Sequence, residues 1–308
     1  MSSKVIAVDT GNLEITTVNF RFCSGLVEHR VRPLSSEFIE YAGSFWTLSN
    51  DHIAYMRNKA ADNRFFVLTL FAIAKELTRA GNLRAMNDID LAVGLPPAHI
   101  GDLRQSFMQY FRKDGHVNFA YNGTPMTIMI RNVFVYVQGF AAIAPQITRL
   151  LQVKRIYVVD IGGMTTDALL LANGKPDKYY SLETGIITLQ NTLIGRVNAR
   201  HDMTIEADHI EMVLLGQETI LPREVRETII EAAQQHTDHI LEKLRELKVD
   251  LRSDQAIFIG GGSILLHKYL EASPMVTKAE FILESNANAV GYQLLAETQL
   301  KQMAMIEA

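Results

Sequence analysis

The stretch Ile156-Tyr157-Val158-Val159-Asp160-Ile161-Gly162-Gly163-Met164-Thr165-Thr166-Asp167 sets the reading of the whole chain. Four β-branched or aromatic residues lead to an aspartate and two glycines; the apolar run Ala168 to Leu171 then closes at the turn pair Asn173-Gly174. This pattern predicts strand, tight turn, strand. A carboxylate at a strand end can hold a magnesium ion through water, and a Gly-Gly backbone can turn its N–H groups to a phosphate unobstructed by side chains. An Asp followed by two glycines also makes an ordinary hairpin corner, so one copy is a weak signal of a nucleotide site.

A second copy strengthens it. Val5-Ile6-Ala7-Val8-Asp9-Thr10-Gly11-Asn12 repeats the plan, with a polar turn and an expected second strand through Ile15, Val18 and Phe20. The two aspartates lie 151 positions apart (160 minus 9), the spacing of a duplicated domain pair. A third glycine turn, Ile257-Phe258-Ile259-Gly260-Gly261-Gly262-Ser263, also follows an apolar strand, but an amphipathic run through Leu265, Leu266, Tyr269 and Leu270 comes next. Strand, glycines and helix form a phosphate- or nucleoside-cradling arrangement.

Two Asp-Gly hairpins followed by a Gly-Gly-Gly turn resemble the ATPase core shared by actin, sugar kinases and heat-shock chaperones. Within that group the chain is most similar to the bacterial plasmid-segregation actins of the ParM/StbA type. The residues that carry the resemblance, in order, are Val93-Gly94-Leu95-Pro96, the segment Asn132 to Gly139, Asp160-Ile161-Gly162-Gly163 and Gly260-Gly261-Gly262. It runs from about residue 4 to about residue 298. The resemblance implies an α/β protein of two actin-like (ribonuclease H-like) domains, mixed sheets flanked by helices, with a nucleotide cleft between them. The last helix would cross back to the first domain, giving 1–152 plus 286–308 as domain I and 153–285 as domain II.

In such a cleft Asp9 and Asp160 would face one magnesium ion, and two loops of N–H donors would grip the phosphates of ATP or ADP. The first loop is Thr10, Gly11 and Asn12; the second is Gly162, Gly163, Met164, Thr165 and Thr166, with Asp167 holding its shape. Thr10, Asn12, Thr165 and Thr166 can donate by side chain as well as by backbone, although hairpin-turn formation alone would also explain them. Gly185, ahead of a predicted helix, is expected to free backbone N–H groups for an anion. Gly260, Gly261, Gly262 and Ser263 would, by the resemblance, pack on the nucleoside side. Position in the family-like segment makes Gln138 the candidate for aiming the attacking water. Its amide orients water but is no strong base, so slow hydrolysis is expected. ParM-type proteins often carry a glutamate here, whereas eukaryotic actin has glutamine; the alternative is a polar residue that merely opens a helix. Nothing reads adenine over guanine.

The chain of 308 residues is long enough for two cores. With 30 basic and 34 acidic residues its formal charge is -4, which disfavours direct DNA binding by global electrostatics. One cysteine, Cys23, excludes an intramolecular disulfide and points to a reducing, cytoplasmic setting. The greasy run Phe65 to Ala74 is too short to span a bilayer, and no membrane association is expected.

Other expectations follow from periodicity and caps. Strands are expected over Val27 to Leu34 and Ser44 to Leu48, and a helix after Asp62-Asn63 with Gly81 as its stop. Asn122-Gly123 predicts a hairpin, Gln138 opens a helix reaching Leu151, and Pro222 begins the longest helix. His236 and His239 lack a third metal ligand at suitable spacing, so a structural role is preferred.

The function expected is a filament-forming, magnesium-dependent ATPase, with GTP also open, that moves plasmid or phage DNA through a small DNA-binding adaptor on a centromere-like site. A non-filamentous ATPase switch and a small-molecule kinase are the alternatives. A kinase needs a carboxylate in a substrate pocket, and Asp88 and Asp90 read instead as strand residues. A dehydratase activator would need cluster-binding cysteines.

Overall fold

The protein's structure, a computed structural model, describes residues 3–81 and 86–307. Two compact units divide it: Met1–Gln146 with Asn286–Ala308, and Ile147–Ser285.

In the first unit, nine strands of the described residues form one mixed sheet. They are β1 (Lys4–Thr10), β2 (Glu14–Thr16), β3 (Arg21–Cys23), β4 (Gly25–His29), β5 (Ile39–Tyr41), β6 (Ser44–Ser49), β7 (Asn87–Leu95), β8 (Val117–Tyr121) and β9 (Thr124–Val137), in the spatial order 3-2-1-7-9-8-5-6-4. Only β1, β7 and β9 run parallel, and buried residues dominate β1 and β7, as expected of strands covered on both faces. Helix α1 (Arg64–Arg79) is buried along almost its whole length, which is why Phe65 to Ala74 shows no amphipathic alternation. Helix α2 is Pro97–Phe111. Asn122 and Gly123, with φ of 53° and 80°, make the expected hairpin turn between β8 and β9.

Several expectations are corrected here. Strand β2 stops at Thr16, because Thr17 to Phe20 closes a tight turn that buried Glu76 of α1 holds. The Glu76 carboxylate accepts from the Thr17 hydroxyl at 2.6 Å, the Asn19 N–H at 3.0 Å and the Asn19 amide at 2.9 Å. Strand β4 ends at His29, and the intervening β5 was not anticipated. The helix expected from Gln138 to Leu151 is reduced to turns, a 3-10 turn at Ala144–Gln146 and the short α3 (Ile147–Leu150). Gly139 takes φ +76°, outside the right-handed helical region, and Pro145 has no N–H to give.

The second unit carries β10 (Arg155–Ile161), β11 (Thr166–Ala172), β12 (Lys175–Leu182), β13 (Gln255–Ile259) and β14 (Ala279–Phe281), ordered 12-11-10-13-14. Strands β10, β13 and β14 are parallel, and the other pairs antiparallel. Four helices accompany the sheet: α4 (Ile186–His201), α5 (Ala207–Leu214), α6 (Arg223–Glu246) and α7 (Gly261–Ala272). The chain then re-enters the first unit as α8 (Ala287–Glu307). Its Gly291 lies so close to the Ala141 backbone that a Cβ would overlap it. No helix among the described residues is long and apolar enough to cross a membrane.

Candidate functional site

Register places the chemistry of the first unit. Val8 pairs with Val93 along β1 and β7, and Leu95 with Val137 along β7 and β9, so Asp9 and Gln138 emerge together at the carboxyl ends of three parallel strands. Ligands of open α/β sheets bind at that end. The Gln138 amide donates to Asp9 Oδ1 at 2.7 Å. Its backbone is equally fixed: the Gln138 N–H donates to the Leu95 carbonyl at 2.9 Å, and the Gly139 N–H to Asn288 Oδ1 at 2.9 Å.

Tyr292 completes the Asp9 shell from α8. Its ring lies over Gly94, where a Cβ would collide with the phenol, and its hydroxyl is 3.4 Å from Asp9 Oδ1. Burial raises the Asp9 carboxyl above its ordinary pKa, opposed by the Gln138 hydrogen bond, the Lys59 charge and the Asn288 and Tyr292 side chains. Lys59 comes from a 3-10 turn, Lys59–Ala61, just ahead of α1. Its ammonium donates to the Thr10 carbonyl and sits 5.2 Å from the Phe65 ring centroid. Burial pushes its pKa down to about 8, with Asp9 pulling the other way.

Lys59, Asn288 and Tyr292 were not anticipated. They lie 50, 279 and 283 positions from Asp9 (59, 288 and 292 minus 9), and the small residues Ala287, Ala289 and Gly291 were the sequence hint of a close helix approach. Thr10 is 1% exposed, and its hydroxyl has no hydrogen-bond partner among the described residues. Gly11 and Asn12 form the turn to β2.

The second unit repeats the strand-end carboxylate and surrounds it differently. Asp160 pairs with Asp167 on β11 and with Ile259 on β13, which puts it beside Gly260. Gly260 has φ +89°, and a Cβ there would meet Asp160 Oδ1 and the Ile161 carbonyl. Gly262 packs equally closely on Ile161, whereas Gly261 has nothing within 4 Å of a Cβ position.

Across the turn, the Gly162 N–H donates to the Thr165 carbonyl at 2.9 Å. The first N–H groups of α4 then cap the loop: Gly185 donates to Met164 O at 3.0 Å, Ile186 to Gly162 O at 3.0 Å and Ile187 to Gly163 O at 2.9 Å. The expectation that Gly185 frees donors for an anion is therefore corrected, since those donors are spent on shaping the turn. One hydroxyl expectation is corrected as well: buried Thr166 donates to the Thr184 carbonyl at 3.2 Å. Buried Ser263 donates to the Ile259 carbonyl at 2.5 Å. Thr165 donates to Asp167 Oδ2 at 2.8 Å, which gives Asp167 the loop-holding contact expected of it. His236 of α6 donates to the Thr184 carbonyl at 3.2 Å and so braces the same loop.

Each unit by itself holds groups of the kind that bind a cation or an anion. The first unit offers a carboxylate, an ammonium and an unpartnered buried hydroxyl around one turn; the second offers a carboxylate beside an uncrowded helix N-terminus at Gly261. Asp88 and Asp90 are occupied elsewhere. Asp88 pairs with Arg131 at 2.8 Å, while buried Asp90 accepts from Asn132 at 2.7 Å and from Ser3.

Comparison with known proteins gives the architecture its class. Residues 40–140 match the family model described as actin like proteins N terminal domain, and residues 158–272 match the archaeal actin homologue MreB-like C-terminal model. No curated protein matches the sequence. Ta0583, an archaeal actin homologue solved in complex with ADP, superposes with a TM-score of 0.75 at 19% identity, over 96% of this chain and 99% of that one. The apo psk41 ParM protein gives 0.72 at 16% identity, over 98% and 99%. An Alp12 filament structure gives 0.63 at 14% identity, over 97% and 100%. The fold is the two-domain actin-like one.

Proposed function

We propose that this actin-like protein is a magnesium-dependent nucleotide hydrolase that assembles into filaments and, through an adaptor protein, moves plasmid or phage DNA in the cytoplasm. The observation that carries the reading is the repeated strand-end carboxylate, Asp9 in one unit and Asp160 in the other, with Gln138 hydrogen-bonded to the first. Support for nucleotide and for assembly comes from relatives of the same fold, one solved with ADP and one as a filament.

Asp9 and Asp160 are the carboxylates that would hold hydrated magnesium, each from its own strand end. When bound, the metal neutralises charge on the phosphates. Gln138 gives its amide N–H to Asp9, which leaves the acceptor oxygen of the amide to orient a water molecule. Without a strong base the hydrolysis is slow, as positioning and electrostatics supply the acceleration. Thr10 to Asn12 and the backbone of Gly163 to Thr165 supply turn donors to the phosphates, and Gly260 to Gly262 let the nucleoside approach the backbone. The pairing of Asp88 with Arg131 and the burial of Asp90 leave a kinase without its substrate carboxylate.

Nucleotide favours one arrangement of the protein over another, and a head-to-tail contact that does not close on itself produces an open filament. The test is light scattering with pelleting in magnesium, comparing ATP, a non-hydrolysable analogue, ADP and no nucleotide. Scattering that requires nucleotide and is lost in Asp160→Ala supports the reading. Binding or hydrolysis without assembly at any concentration removes the filament from it.

A further inference from the structure

Lys59 is the unexplained group of the first unit. A short turn carries it, and both ends of that turn are fixed. Asn58 accepts from the Ala60 N–H at 3.2 Å, and Asp62 accepts from the Arg64 N–H at 2.9 Å where α1 begins. Its ammonium sits over the ring of Phe65, a core residue 1% exposed, so the side chain is aimed rather than free to wander. The ammonium meets the carbonyl of Thr10, the residue whose hydroxyl is buried without a partner.

An ammonium carries three donors, and the Thr10 carbonyl takes one. Half-burying such a cation costs free energy unless an anion compensates it. Asp9 offsets only part of that cost, and its own carboxylate is already engaged by Gln138 and Tyr292. Cation and turn thus meet beside Asp9 and Gln138. A group with several anionic oxygens satisfies both, and a terminal phosphate is such a group.

We propose that Lys59 is a ligand for the terminal phosphate of the bound nucleoside triphosphate, and so distinguishes the triphosphate from the diphosphate. The assignment rests on the nucleotide reading above. An ammonium at this point also offsets the negative charge that hydrolysis redistributes, without itself moving a proton.

Calorimetric titration of the full chain with magnesium and a non-hydrolysable ATP analogue, ADP or AMP tests it. Lys59→Met keeps the stem against Phe65 and removes the charge; Lys59→Arg keeps the charge. We expect Lys59→Met to weaken the analogue roughly tenfold or more and ADP less than about threefold, with AMP unchanged and Lys59→Arg close to the native chain. Unchanged affinity for the analogue, or an equal loss for all three ligands, overturns the assignment. If Lys59→Met does not fold, Lys59→Gln, which can still donate to Thr10, gives the same discrimination. A native chain that binds none of the three overturns the nucleotide reading together with this one. A native chain that binds the analogue while Lys59→Met binds it equally overturns only the role of Lys59.

Discussion

The turn after β1 and the turn after β10 share one plan and use it in opposite ways. Around Asp9 the chemistry is in side chains brought from elsewhere: Gln138 after β9, Lys59 ahead of α1, Tyr292 and Asn288 on α8. Around Asp160 the turn is a backbone object, its carbonyls capped by Gly185 and the start of α4, with Gly260 and Gly262 after β13 packed against β10. The strand-end acid is common to both units, and the groups around it differ: polar and charged side chains surround Asp9, and a hydrogen-bonded backbone surrounds Asp160.

The division is open to attack, most strongly through Gln138. Gln138→Ala should slow single-turnover hydrolysis roughly a hundredfold while leaving affinity for a non-hydrolysable analogue within about threefold. An equal loss of binding would make the residue a scaffold for Asp9 and erase the contrast.

The rigid half makes a smaller prediction. Gly185→Ala should lower the unfolding free energy by roughly 1–3 kcal/mol, because its Cβ overlaps the Gly163 and Met164 backbone, whereas Gly261→Ala changes it by less than about 0.5 kcal/mol. Denaturant melts of both variants check this, and equal effects would show the turn to be soft.

The smallest effect sharpens the same point through pH. Burial lowers the His236 pKa below 6.5, with the hydrogen bond to Thr184 opposing. The folded state therefore prefers the neutral ring. Its contribution is fully present above about pH 6.5 and is lost as pH falls from there through the lowered value. Thermal melts should show a stability loss of under about 1 kcal/mol across that window, flattened in His236→Gln. The same pH slope in His236→Gln would assign it to another group.

Much of the frame was legible in the chain itself. Both Asp-Gly hairpins, the Gly-Gly-Gly turn into a helix, the Asn122-Gly123 hairpin and the helix after Pro222 follow from local rules, and the structure contains each of them. The helix expected at Gln138 failed because one glycine in a left-handed conformation outweighs the apolar spacing around it. Thr166 misled for another reason. A hydroxyl in a glycine turn reads as a ligand, yet where its hydrogen bond goes depends on carbonyls that only the folded chain brings near. Lys59 and Tyr292 had no local signature at all, since each reaches Asp9 through tertiary packing.

That Tyr292 and Asn288 serve Asp9 and Gly139 has a consequence for synthesis. A ribosome that has translated the first 285 residues has already released every strand of the larger sheet, with Asp9 and Gln138 among them. Neither the phenol that lies over Gly94 nor the amide that pins Gly139 has yet been made. N-terminal segments fold as they emerge, but this one waits for the final helix to set its acid. Until α8 has been added, nascent chains lack the hydroxyl and the amide that fix Asp9 and Gly139.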